Sequence, residues 1–265
     1  MGEAEGGTCL VHDFTLDKYR ELCDALLDNG YSILTVYDYL LKYQNELLTS
    51  PQYAILRHDV DRKPGNALRM AELEHDLGIR STYYFRYPHT FRPEIMRQIR
   101  DLGHEVGYHY EVLAKARGNT EKALDMFEQE LQAMREICEI KTICMHGSPL
   151  SRYDNRDLWK KYDFREHGVI GEGYLSFAGT KIQYFTDTGR SWSGKFSIRD
   201  TLQGKETITI KSTDELIRLI ASSTKAEVYL TIHPERWAAS GGEWIMNYFK
   251  DAVLNCGKKI LMMRP

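Results

Sequence analysis

Apolar positions along this chain switch between helical and strand spacing. Behind Thr15, Tyr19, Leu22, Leu26 and Leu27 form one stripe that stops at Asn29-Gly30, which predicts a capped helix. A second short helix is expected from Val36 to about Leu48, and residues 1–11 should fray. At residue 53 the pattern changes to alternating strand and helix. Strands are predicted at 53–59, 81–87, 105–110, 142–146, 169–177, 182–186 and 228–233, with a last short one at 259–262. Between them lie expected helices at 66–77, 94–102, 120–140, 214–222 (Thr213 as cap) and 243–254, and a loop or short strand pair at 192–201. Such alternation implies a parallel sheet. There is no Gly-rich phosphate loop, and polar residues gather at the strands' carboxyl ends. A closed α/β barrel is therefore favoured over an open doubly wound sheet.

At 265 residues, with no Pro/Gly/Ser-rich linker, the chain reads as one domain: an N-terminal helical extension over 1–52 and a barrel over 53–262. A net charge of −3 argues against a nucleic-acid surface. The five cysteines, an odd number without paired metal spacing, read as reduced thiols. The first residues lack the basic start and apolar stretch of a signal peptide, and no apolar run reaches about 18 residues. A cytoplasmic protein without a membrane span is expected.

Chemistry concentrates in Arg57-His58-Asp59-Val60-Asp61, the end of the first core strand. Strand alternation puts Arg57, Asp59 and Asp61 on one face. Two such carboxylates need a cation or a shared proton to relieve them, although an Asp turn before Pro64 would look similar. The other strand ends offer His109 and Glu111, His146, Asp187 and Arg190, and His233. In a βα barrel these ends share one face. Each histidine alone is more often structural, but their joint placement fits a three-ligand site for zinc or another divalent ion.

Arg57-His58-Asp59-Val60-Asp61, Gly103-His104-Glu105-Val106-Gly107-Tyr108-His109 and Thr231-Ile232-His233-Pro234 resemble the motifs of the polysaccharide deacetylase family (carbohydrate esterase family four). The likeness is to its Asp-x-Asp branch, associated with surface-polysaccharide synthesis. It implies a distorted barrel of seven βα units that removes acetyl groups from N-acetyl sugars with a divalent metal. It also implies Asp59 as general base, Asp61 and His109 as metal ligands and His233 as general acid. The chain departs from the pattern twice: Leu113 stands at the family's second metal histidine, and His146-Gly147-Ser148-Pro149 replaces its Arg-Pro motif. The third ligand is then expected from His146 or Glu111, unless the site is weak or lost, and Arg190 is a candidate either to orient Asp59 or to stand in an exposed loop. Trp192 and Trp237 are candidates to line a sugar cleft or to pack the barrel mouth.

The implied activity is metal-dependent deacetylation of an N-acetylated sugar or glycan in surface-polysaccharide assembly. Hydrolysis of another amide or ester, or a catalytically inactive carbohydrate-binding barrel, are the alternatives.

Overall fold

The computed structural model describes residues 12–44, 52–147, 151–192, 202, 210–222 and 227–262. Its elements are α1 (Leu16–Asp28), β1 (Ser32–Leu34), α2 (Val36–Gln44), β2 (Tyr53–Val60), α3 (Pro64–Asp76), β3 (Thr82–Phe85), α4 (Pro93–Asp101), β4 (Glu105–Tyr110), α5 (Val112–Lys115), α6 (Thr120–Arg135), β5 (Thr142–Met145), β6 (Gly171–Glu172), β7 (Gln183–Thr186), α7 (Thr213–Ser222), β8 (Glu227–Ile232) and α8 (Gly241–Met262). The capping chemistry is local. Thr15 Oγ1 accepts from Lys18 N at 3.2 Å to start α1, and Asn119 Oδ1 accepts from Lys122 N at 2.8 Å to start α6. Pro64 and Pro93 open α3 and α4, where a missing N–H does no harm.

The strands pair in parallel in the order β6-β5-β4-β3-β2-β8-β7, and the sheet curls with helices packed outside it. This is the expected distorted barrel of βα units, with one difference. Among the described residues no pairing joins β6 to β7, so the barrel is open on that side. The reason is Glu172, whose carboxylate accepts from the backbone N–H of Met145, Tyr174 and Leu175 at 2.8, 2.8 and 2.7 Å. Those bonds turn the chain out of the sheet after two residues, into a 3-10 turn at Leu175–Phe177, where a strand to Phe177 was expected.

The N-terminal segment is not purely helical. β1 pairs with Tyr53, Ala54 and Ile55 of β2, on the edge that β3 occupies from Arg57 onward. Two other expectations need correction. The apolar run Ile260-Leu261-Met262 extends α8 instead of forming a strand, since Leu and Met favour helix and so short a run carries no strand period of its own. Thr213 is the first residue of α7, not its cap. Ser212 Oγ accepts from Glu215 N at 3.3 Å, while the Thr213 hydroxyl bonds Asp13 and Trp192. Except for Trp192, the predicted loop at 192–201 lies outside the described residues, as does the end of the predicted second helix.

β2 is buried along its whole length because both faces are covered. Tyr53 and Ile55 belong to the main core. Ala54 and Leu56 face a second cluster with Tyr19, Leu22 and Leu26 of α1 and Leu216 and Ile220 of α7. Among the described residues no helix is long and apolar enough to cross a membrane.

Candidate active site

Alternation on β2 sends Arg57 and Asp59 to the same side, where they form a buried bidentate pair: Nε to Oδ1 at 2.8 Å and Nη2 to Oδ2 at 2.6 Å. The remaining guanidinium donors reach Gly173 O (3.3 Å), Tyr229 OH (3.1 Å) and Tyr174 OH (2.7 Å), and the group lies 4.3 Å from the centre of the Tyr174 ring. A side chain at Gly173 would put its Cβ 3.1 Å from Arg57 Nη1, so glycine makes room for the guanidinium. Burial alone would raise the Asp59 pKa. Arg57 outweighs it and holds the carboxyl below its ordinary value.

Arg190, a candidate to orient Asp59, does not do so. It donates to the carbonyls of Arg236 (3.3 Å) and Asp13 (3.4 Å) and lies 3.7 Å from Asp251. Arg57 performs the orienting. The signal for it was the alternation that placed both residues on one face.

Asp61 follows at the end of β2, and its buried Oδ1 has no hydrogen-bond partner among the described residues. Nε2 of His109 and Nε2 of His146 each lie 3.4 Å from that oxygen. Their other nitrogens are engaged. His109 Nδ1 is 3.0 Å from Cys144 O, an acceptor, so Nδ1 carries the hydrogen. His146 Nδ1 is 3.1 Å from Glu111 Oε2, with the same consequence. Both rings therefore turn Nε2 towards Asp61 while Nδ1 is held from behind, the arrangement in which an outer acceptor fixes a metal-binding imidazole. An orphaned carboxylate oxygen flanked by two such nitrogens fits a divalent ion of the zinc type.

A tighter group exists: ligand atoms of Asp59, His109 and Cys144 all lie within 4.8 Å of one another. Both Asp59 oxygens are already held by Arg57, which disfavours that set. Asp61, His109 and His146 form a second cluster, in which each ring Nε2 lies 3.4 Å from Asp61 Oδ1.

Glu111 is engaged by other partners. Arg86 Nη2 donates to its two oxygens at 3.1 and 2.9 Å, and Lys115 stands 3.7 Å away. Burial opposes its charge, but the hydrogen bond from His146, with the charges of His146, Arg86 and Lys115, holds its pKa at about 2. The chain turns into α5 directly after Glu111, which carries Leu113 into the core.

His233, at the end of β8, leans on Asp187 at the end of β7. Its Nδ1 lies 2.6 Å from Oδ1, and its backbone N–H donates to Oδ2 at 2.9 Å. Arg236 Nη1 (3.1 Å) and Trp237 Nε1 (2.9 Å) complete the shell around that carboxylate. Burial and Arg236 resist charge on the ring, but Asp187 prevails and the His233 pKa lies above its ordinary value. Trp237 and Trp192 line no cleft. Both are fully buried, 6.2 Å apart between ring centres, with Trp192 Nε1 donating to Thr213 Oγ1 at 3.1 Å.

His58 points the opposite way from Asp59. Its Nε2 meets Glu74 Oε1 at 2.7 Å, and Glu74 also accepts from Tyr19, Ser81 (2.5 Å) and Tyr83 (2.8 Å). This buried network joins α1, α3, β2 and β3 outside the barrel.

No family model matches the chain, and no curated protein does. Among solved structures it is similar to a deacetylase of Streptococcus pyogenes in complex with acetate (13% identity, TM-score 0.43, covering 60% of this chain and 73% of that one). It is also similar to a CE4 esterase of Streptococcus mutans (13%, 0.46, 87% and 89%) and to a CE4 family pseudoenzyme of Bacillus anthracis (11%, 0.43, 76% and 60%). At this overlap the similarity assigns no role to any residue here.

Proposed function

We propose that the protein is a metal-dependent amide hydrolase that removes the acetyl group from an N-acetylated sugar, in the cytoplasm, during assembly of an O-antigen-like surface polysaccharide. One observation carries the reading: the unpartnered Asp61 Oδ1 between the Nε2 atoms of His109 and His146, beside the Arg57–Asp59 pair. The three sequence motifs noted above supply the acyl-sugar substrate class.

Asp61, His109 and His146 would hold the ion, zinc by the chemistry of the donor set. When bound, it supplies a lowered pKa for water, near about 7, and polarises the acyl carbonyl. Asp59 stays ionised across neutral pH because Arg57 holds it, and it would take a proton from the attacking water. His233 bonds Asp187 through Nδ1, which leaves Nε2 to deliver a proton to the departing amine.

The test measures acetate release from N-acetylated nucleotide sugars and oligosaccharides, with metal analysis of the purified protein. Metal near one equivalent, with acetate release lost in Asp59→Asn at unchanged metal content, supports the reading. A metal-free protein, or a metal-loaded one that hydrolyses only non-sugar amides, refutes it.

A further inference from the structure

α8 is turned inside out compared with an ordinary surface helix, whose apolar stripe faces the core. Its polar side chains face the barrel. Asn247 and Asp251 are 4% and 5% exposed, and Asn247 Oδ1 accepts from Lys63 Nζ at 2.9 Å. Asp251 lies 3.7 Å from Arg190 and 4.0 Å from Arg236, and Asn255 Nδ2 donates to Gly189 O at 3.1 Å. Its described apolar side chains face away, except for Trp244, which is half-buried and donates to Asp13 O at 2.7 Å. Ile245, Met246, Tyr248, Phe249 and Val253 are all exposed, Phe249 to 65% and Val253 to 72%. Ile245, Phe249 and Val253 stand at spacing i, i+4, i+8 and form one row along the helix.

We propose that this row is the isologous interface of a homodimer, α8 packing antiparallel against α8 of a second copy across a two-fold axis near Phe249. An uninterrupted apolar row is complementary to itself, as such an axis requires. No charge breaks it, because Glu243 and Asp251 turn inward and Lys250 stands at its flank. The five side chains are 49–72% exposed, which at about 150–250 Å² for a large side chain offers on the order of 500 Å², to set against the about 800 Å² per partner of a standard interface. A lipid surface is the poorer occupant. Anionic membranes select clusters of about four to eight basic residues, whereas among the described side chains Lys250 has Arg62 and Lys63 beside it.

The interface backs directly onto the catalytic rim. Lys63, held by α8, is two residues beyond Asp61, and Arg236, beside Asp251, is three beyond His233. The proposal does not depend on which acyl substrate the site takes.

Sedimentation velocity of the full chain should give twice the 30.8 kDa chain mass at micromolar concentration. Phe249→Glu, and separately the milder Phe249→Ser, should sediment as folded monomers, with dissociation constants raised at least about 100-fold and unchanged circular dichroism. Phe249→Cys should form an intermolecular disulfide under mild oxidation that the parent chain does not form. A parent that is monomeric at 100 µM overturns the proposal, as does a dimer that persists in both Phe249 variants. A monomeric parent that co-sediments with phosphatidylglycerol vesicles overturns it in favour of a membrane partner.

Discussion

His146 is suspended between two carboxylates: Nδ1 lies 3.1 Å from Glu111 Oε2 and Nε2 lies 3.4 Å from Asp61 Oδ1. The pairing assigns different duties to Glu111 and His146. Glu111→Gln should weaken metal affinity by about 10- to 100-fold, the usual effect of losing an outer acceptor. His146→Ala should weaken it further. Isothermal titration with zinc on chelator-stripped protein checks the order, and equal affinities in the two variants would contradict it.

The Arg57–Asp59 pair is fully buried, so removing one partner strands the other charge. Arg57→Met should destabilise the fold by about 3–5 kcal/mol, read from urea unfolding midpoints. The double variant Arg57→Met/Asp59→Leu should regain most of that loss while remaining inactive. A double variant no more stable than the single would mean that packing around Tyr174 and Tyr229, not charge, dominates.

Asp187 gathers His233, Arg236 and Trp237 on one carboxylate. Asp187→Asn should leave His233 without its anionic partner and lower kcat by about 10²- to 10⁴-fold, with metal content unchanged. An unaltered kcat would remove His233 from proton transfer.

The network around Glu74 makes stability depend on acid pH. Burial disfavours the charged carboxyl, yet His58, His104 and Ser81 hold its pKa at about 2, below its ordinary 4.5. The unfolded chain then binds more protons than the folded one in this interval. Stability is fully present above about pH 4.5 and is lost as pH falls towards 2, on the order of 3 kcal/mol. His104, whose pKa burial lowers from 6.5, acts in the same direction at higher pH. Unfolding of Glu74→Gln between pH 7 and 3 should show a shallower pH slope than the parent. Parallel slopes would exclude Glu74 as the source.

The sequence carried the strands that position the site with little error, because each combines β-branched or aromatic residues with turn residues at both ends. β4 runs from Glu105 to Tyr110, as its composition predicts. Asp61, His109, His146 and His233 could be grouped in advance because a parallel sheet sends all its strand ends to one side. Side-chain pairing was less legible. Arg190 and Arg57 are equally arginine in the sequence, and only the Arg57–Asp59 spacing of two on a strand distinguishes them. Trp192 and Trp237 look like sugar platforms until Thr213 and Asp187 are seen to satisfy their N–H groups. The helix predicted at 243–254 lies within the longer α8, which runs on through the stretch expected to be a strand, and its reversed polarity depends on Lys63, Arg190 and Arg236, which lie far from it in the chain.

β2 carries a polar network on each side: Arg57 and Asp59 towards the barrel interior, His58 towards α1 and α3. Most strands are indexed by one buried face and can trade a slip against the other. This one is keyed like a two-sided lock. Sliding it by one residue would set His58 among Tyr174 and Tyr229 and push two charges against Tyr19 and Glu74. Inserting or deleting a single residue between Tyr53 and Val60 should therefore abolish folding outright, whereas substitutions on either side alone leave the other key in place to hold the register.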